Sequence, residues 1–390
     1  MSAPLPFQVR VLSAVRDVPE RTWDALVPPE GAPFLEWAWL DALESSGCAA
    51  PEKGWHPRHL TLWRGNTLVA AAPAYQKDHS HGEFVFDWSW ATAGERMGVR
   101  YYPKLVLGVP FTPATGPRLL VAPGEDRQAR GRELLRAVLE GARGSELSSV
   151  HALFPAASEL QWLEEAGFAV RLGVQYHWRN RGYRTYEDFL ARFHSRRRNQ
   201  IRKERRAAAE QGLALRTLSG DALESVDPED AFRLYKATVV RHVWGQQSLN
   251  LPFFQKVLRT FRRRVEVVEV RRGEQLVAGT FNLASERALY GRWWGAFEEI
   301  PFLHFHACLY HPVEECILQG RERFEPGAGG DHKLVRGFEP TLTYSAHWIA
   351  HAGLDRAVRQ FLATERAAIQ QGMPQWRKET GFKDTGFKDA

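Results

Sequence analysis

The residues best suited to chemistry follow a glycine-rich stretch, Gly327-Ala-Gly-Gly330, which leads straight into Asp331, His332, Lys333 and Arg336. A glycine turn after a strand can lift the side chains that follow it above a rigid sheet, where sites usually lie. There Lys333 and Arg336 would bind a phosphate or polarise a carbonyl, and His332 or Glu325 could take a proton from an amine. The same residues could instead form a solvated polar loop held by structural salt bridges. Upstream, Tyr290, Arg292, Trp293 and Trp294 lie along one expected strand, whose alternation puts Tyr290, Arg292 and Trp294 on a shared face as candidate substrate contacts. The alternative is that the tryptophans are core. His304, a further substrate candidate, precedes a run with His306, Cys308, His311 and Cys316. No metal is expected there, because CxxC and HExxH spacings are absent and Pro312 should disturb the helical register.

In the first half, Asp87 and Trp88 are flanked by His79, His81 and Glu83. An aspartate among aromatics reads either as hydrogen-bonded structure or as a clamp for a substrate ammonium. Charge is concentrated elsewhere. Between Arg192 and Arg206 eight Arg/Lys accompany one Glu, a local charge of +7, while the whole chain carries +6 and the remainder therefore −1. The patch reads as a solvated helix face or as a surface for phosphates of RNA, a nucleotide or a lipid, with Arg197, Arg198 and Arg202 as donor-binding candidates. No GxSxG elbow, GxxxxGK[ST] loop or strand-borne GxGxxG occurs, which disfavours a serine hydrolase, a P-loop NTPase and a Rossmann dehydrogenase.

The elements that must position these residues follow from hydrophobic period and turn signals. The first half reads as helices near Pro19–Leu26 and Phe34–Leu43, strands His59–Trp63 and Leu68–Tyr75 around a turn, and a strand Phe84–Trp90. A Pro/Gly-rich loop Tyr101–Pro117, a helix Asp126–Arg143, and strands Val150–Phe154 and Gly173–Asn180 complete it. The second half reads as helices Tyr186–Phe193, Arg196–Gln211, Pro228–His242 and Pro252–Phe261, then the hairpin Val265–Arg271 and Gln275–Ala284. Strand Ala288–Ala296, helix His304–Leu318, strand Arg323–Pro326 and a closing helix Leu354–Gly372 follow. A meander that meets a helix and then another strand, twice, is an internal duplication of α/β units with mixed sheets. Its expected domains are 1–180 and 181–372, with a flexible tail 373–390.

A chain of 390 residues with 44% hydrophobic content, 14 Trp and 22 Phe has ample apolar area for two cores. Three cysteines without framework spacing fit reduced thiols and a cytoplasmic location. Neither an export signal nor a membrane span is expected. Oligomeric state is left open.

LYGRWWGA at Leu289–Ala296, the helix from His304 to Tyr310, and GAGGDHKLVRGFEPTLTYSAHW at Gly327–Trp348 resemble the FemAB-like group described as peptidoglycan biosynthesis or recognition proteins. FDWSWA at Phe86–Ala91, YYPKL at Tyr101–Leu105 and PFTPATGPRLL at Pro110–Leu120 fit the same resemblance. It implies two tandem GNAT-like domains with a cleft between them, and similarity to Fem ligases, which move an amino acid from aminoacyl-tRNA onto a peptidoglycan-precursor amine. By analogy GDHKLVRGF is similar to a Lys-containing strand motif that would put Lys333 near a phosphate or a carbonyl. The long coiled-coil arm that Fem ligases often carry has no counterpart here.

The resemblance therefore implies an acyl- or aminoacyltransferase acting on an amine, such as a peptide or cell-wall precursor. The donor is open between aminoacyl-tRNA, favoured by the basic patch, and acyl-CoA as a co-substrate, favoured by Gln128-Ala-Arg-Gly131. That tetrapeptide opens like the pyrophosphate-binding turn of GNAT enzymes but has Glu133 where a small residue belongs. No tightly bound cofactor is expected. The rival is a non-catalytic binding module on a degenerate GNAT scaffold that recognises a peptide or cell-wall ligand.

Overall fold

The computed structural model describes residues 6–29, 32–239 and 247–383. The chain divides into two compact units. One holds the described residues up to Gly173 together with Leu342–Ile369, and the other holds Val174–Thr341 together with the described residues from Gln370. This differs from the contiguous segments 1–180 and 181–372. The divisions fall inside the strands Ala169–Arg179 and Glu339–Ile349 and the helix Ala352–Lys378, where no linker composition marks them.

In the first unit, strands Phe7–Leu12, His59–Arg64, Thr67–Ala72 and Leu120–Val121 form an antiparallel sheet, with Leu60 opposite Ala72 in the expected hairpin. A second ladder joins Trp55–Pro57, Ala74–Lys77, Lys104–Leu107 and Ser149–Leu153 to the stretch Ser345–Ile349. Helix Arg127–Gly144 buries Leu134, Leu135, Val138, Leu139 and Ala142 against these strands. Those positions recur at helical spacing, so one face supplies the core.

The segment Phe84–Trp90 is not a strand. It is a loop followed by the helix Trp88–Arg96. The aromatics that suggested a strand face outward: Phe84, Phe86 and Trp88 are exposed, whereas Glu83 and Asp87 are buried. Lys104 is the cause. Its ammonium is fully buried and donates to Asp87 at 2.6 Å, Glu83 at 2.8 Å and Ser80 at 2.8 Å. Tyr101 Oη donates to Asp87 at 2.7 Å. Of the two readings of Asp87, the hydrogen-bonded one holds, and the ammonium it clamps is the chain's own.

In the second unit, Leu213–Ser219, Val265–Arg272, Gln275–Ala284 and Ala288–Ala296 run antiparallel in sequence order. Ala288–Tyr290 then pairs in parallel with Arg323–Glu325, which pairs antiparallel with Trp178–Arg179. Helix Pro228–Val239 lies so close to the sheet that a Cβ on Gly295 would stand 2.0 Å from the Leu234 carbonyl oxygen, so only glycine fits. The expected continuation of that helix to His242 lies outside the described residues. Trp293 fills the same side of the sheet, 5.4 to 5.9 Å from the rings of Phe281, Phe254, Phe253 and Tyr235.

The expected tail 373–390 is partly built into this unit. The closing helix continues to Lys378, and Phe382 is buried 4.7 Å from the ring of Phe193. Residues 384–390 lie outside the described residues.

Burial favours the uncharged form of Glu83 and raises its pKa to about 7 against the pull of Lys104. Burial would raise Asp87 as well, but Lys104 brings it down to about 2. Asp87 thus contributes stability that is present above the ordinary carboxylate value and lost as pH falls toward 2. Lys104→Met should cost about 3–5 kcal/mol by leaving buried carboxylates uncompensated, and adding Glu83→Gln with Asp87→Asn should restore most of it. Guanidinium unfolding at pH 7 of the single and triple variants measures both.

Candidate functional site

The strand Ala288–Ala296 sets the geometry of the site. Asn282 faces Gly291 while Phe281 faces Trp293, so a β-bulge falls at Arg292 with two residues opposite one on the neighbouring strand. One inserted residue reverses the facing of everything beyond it. Leu283 opposes Tyr290 and Thr280 opposes Trp294; those two partners are three residues apart, so Tyr290 and Trp294 lie on opposite faces of the sheet. The expected shared face of Tyr290, Arg292 and Trp294 is thereby corrected. Tyr290 is buried and accepts a hydrogen bond from Arg323 at 3.1 Å, whereas Trp294 borders an open pocket.

That pocket, about 420 Å³, is bounded by Trp294 and Ala296 from the strand, by Glu298, Glu299, Ile300 and Pro301 from the loop, and by Leu303 and His304 from the helix start. Phe302, between loop and helix, takes φ 64°, a left-handed conformation that a phenylalanine adopts only where its surroundings enforce it. The His304 ring stands 5.6 Å from that of Trp294 and 5.7 Å from that of His332. Although His304 is exposed on the pocket wall, desolvation by the surrounding protein, followed by His332, Lys333 and Arg336, lowers its pKa. His304 is therefore neutral at pH 7 and can accept a proton.

The helix that carries His304 is interrupted. Leu303–Phe305 is α-helical, His306–Tyr310 is a π-turn in which the His311 N–H reaches the carbonyl of His306, and His311–Leu318 resumes the α-helix. Pro312 explains the interruption: it has no N–H to offer the carbonyl four residues earlier, and the wider turn relieves the clash. Among the described residues no three His, Cys, Asp or Glu side chains are grouped as a metal would need.

The four residues proposed for chemistry after the glycine stretch form a 3-10 turn, Asp331–Arg336, rather than a strand, and two of them are buried. Gly327, Gly329 and Gly330 take φ of 90°, 72° and 89°, and the Lys333 ammonium donates to the carbonyls of Gly327 at 2.8 Å and Gly329 at 2.7 Å. Burial depresses the Lys333 pKa to about 8. Arg336 is also engaged. Its guanidinium donates to Glu204 at 3.0 to 3.2 Å, to Tyr310 Oη at 2.7 Å and to the His332 carbonyl at 2.8 Å, and stacks 3.5 Å from the ring centre of Phe305. Tyr310 Oη in turn donates to Glu204. Glu325 is buried beside Arg323, 2.7 Å away, and its pKa is raised by burial. Of that group Asp331 is exposed, and His332 is half-buried beside His304.

Trp294, His304, His332, Lys333 and Arg336 thus form one cluster. The other expected residues lie elsewhere. Asp87 is sealed with Lys104 in the first unit, while Trp88 is 49% exposed at the start of its helix, tilted against Phe86 with ring centres 5.1 Å apart. Gln128 is in the first turn of Arg127–Gly144, where the Asp126 side chain already accepts the Ala129 N–H. A Cβ on Gly131 would stand 3.0 Å from the Trp162 ring, so helix packing accounts for that glycine. Arg197, Arg198 and Arg202 lie on the helix Ser195–Glu210, with Arg202 paired to Glu187 at 2.6 Å. Sequence reasoning passed over Glu204, Tyr310, Glu298 and Glu299. Glu204 carried a signal: it is the single acid in the basic run, and it is the one charged residue of that helix that is buried.

The sheets and helices described above form two units of mixed α/β structure. The chain belongs to the FemAB-like family, described as peptidoglycan biosynthesis/recognition, which it matches over residues 14–384. Its fold is similar to the crystal structure of FemX, with a TM-score of 0.54 at 12% identity over 88% of this chain and 98% of that one. Weaker likenesses include a tandem GNAT protein from the clavulanic acid biosynthesis pathway, with TM-score 0.46 and 12% identity over 89% and 99% of the two chains. A conserved protein of unknown function from Bacteroides thetaiotaomicron gives TM-score 0.47 and 12% identity over 88% and 98%. Among curated proteins none matches the sequence. No helix among the described residues is long and apolar enough to cross a membrane.

Lys333→Met should lower stability by about 1–3 kcal/mol, because it leaves the Gly327 and Gly329 carbonyls without their donor. Urea unfolding monitored by tryptophan fluorescence measures the loss, and an unchanged midpoint would contradict the positioning role.

Proposed function

We propose that this protein is a GNAT-fold transferase that moves an acyl or aminoacyl group from an activated donor onto an amine, with the Trp294–His304 pocket as the acceptor side of the reaction. The observation that carries the reading is His304: an imidazole on the wall of an open pocket, between Trp294 and the braced turn that holds His332. An amine held there attacks the carbonyl carbon of the donor. The new C–N bond forms, His304 takes the proton the nitrogen gives up, and the C–S or C–O bond to the leaving group breaks as that group is protonated.

Trp294 offers its face, and Glu299 its charge, to the ammonium before it gives its first proton to water and becomes the attacking amine. Glu298 is shared with Arg272 at 3.0 Å. Lys333 and Arg336 act through the turn they hold rather than by touching substrate. Acyl-CoA and aminoacyl-tRNA both fit this chemistry as donors, and a peptide or cell-wall precursor fits the family's description as acceptor. The protein binds neither donor as a resident cofactor in this reading.

His304→Gln should lower kcat by about 10²–10⁴ with little change in melting temperature, as removal of a general base does. Because the pKa of His304 is depressed, its neutral form persists below the ordinary histidine range. At saturating acceptor the acidic limb of kcat should therefore fall below pH 6.5 rather than at it. Assays pairing acyl-CoA thioesters and charged tRNA with amine-bearing muropeptides identify the donor. Absence of turnover with every donor, alongside muropeptide binding that His304→Gln does not alter, would favour the binding-module reading.

A further inference from the structure

The π-turn that begins at His306 also borders a second cavity. This one, about 600 Å³, is lined by Asn199, Arg202, Arg205 and Arg206 of the basic helix, by Glu187 and Leu190, and by His306. Asn199, Arg202, Arg206 and Ala209 recur at intervals of three or four residues, so one face of the helix Ser195–Glu210 forms a wall of the cavity.

The charges on that wall are unequal in their commitments. Arg202 is paired with Glu187 at 2.6 Å across an exposed surface, a contact that a stronger anion can replace at little cost. Arg205 is paired with Glu314 and stacks 4.0 Å over the Tyr186 ring, which fixes its position at the cavity wall. The side chains of Arg206 and Asn199 have no hydrogen-bond or ion-pair partner among the described residues. Independently of the arginines, the Nδ1 atom of His306 is buried and has no hydrogen-bond partner among the described residues. Two uncommitted donors and two further guanidinium groups that line one cavity, with a partnerless imidazole nitrogen in its wall, form an arrangement that an oxyanion completes.

We propose that this cavity binds a phosphate-bearing ligand, with Arg206, Asn199 and His306 as its direct contacts and Arg202 released from Glu187 to join them. Its volume is that of a small-molecule site, large enough for a nucleotide and too small for a folded partner. The inference does not depend on the transferase reading, because binding is measured without turnover.

Isothermal titration of the full chain with pyrophosphate, with adenosine 3′,5′-bisphosphate and with a short single-stranded RNA ending in CCA separates the sources of phosphate. Saturable binding that weakens at least tenfold in Arg206→Gln and in His306→Phe, with unchanged melting temperatures, is the expected result. The salt slope of log Kd should be shallower in Arg206→Gln by about one phosphate contact. A preference for the nucleotide over RNA marks a small-molecule site, and the reverse marks the end of a nucleic acid; either supports the cavity as the site. No saturable binding of any of the three probes, or wild-type affinity in both variants, would overturn it. Should His306→Phe unfold the π-turn, Asn199→Ala, on the exposed wall, provides the same test.

Discussion

One buried guanidinium holds the candidate site together. Arg336 reaches the helix Ser195–Glu210 through Glu204, the π-turn through Tyr310, its own turn through the His332 carbonyl, and the helix start through the Phe305 ring. A planar fork with several donors in fixed directions can make all these contacts at once, which the single ammonium of a lysine could not. Glu204 offsets the cost of burying that charge, and the remaining donors meet a hydroxyl and a carbonyl. His304 and His332 lie within a few residues of atoms that Arg336 touches, so their positions follow from it.

Much of the second unit could be read from the sequence. The strand Ala288–Ala296 has the expected ends, and the hairpin on either side of Gly273 falls in place, because long apolar strands bounded by a tight turn leave little ambiguity. The cluster of His304, His332, Lys333, Arg336 and Trp294 was legible as a set of residue types. Their individual geometry was not. A bulge at Arg292 has no compositional mark, yet it decides that Trp294 meets the pocket and Tyr290 does not. Lys333 and Arg336 read as exposed chemistry, and both prove to be spent on glycine carbonyls and on Glu204. Buried charges of this kind depend on partners more than a hundred residues away, as with Glu204 and Arg336, which no local pattern reports.

The first unit shows the same limit from another side. Strand Phe7–Leu12 was missed because only Leu12 of it is buried, and Lys104–Leu107 and the stretch Ser345–Ile349 because each is short and carries polar residues on its buried side. Lys104 within an apolar run was the available signal: a lysine among Tyr, Leu and Val on a central strand must bring carboxylates inside with it. Those carboxylates, Glu83 and Asp87, then turn Phe84, Phe86 and Trp88 outward and leave a loop with the aromatic content of a strand. Regular elements bridge the unit divisions, and for that reason no change in composition announced them.

Hydrogen exchange followed by mass spectrometry on an Arg336→Gln variant addresses the central claim directly. If Arg336 is the common tie, protection should fall together in the helix Ser195–Glu210, in residues 303–311 and in residues 327–338, while the strands Val265–Arg272 and Gln275–Ala284 keep theirs. Loss confined to residues 331–336, with the helix and the π-turn unchanged, would contradict the account.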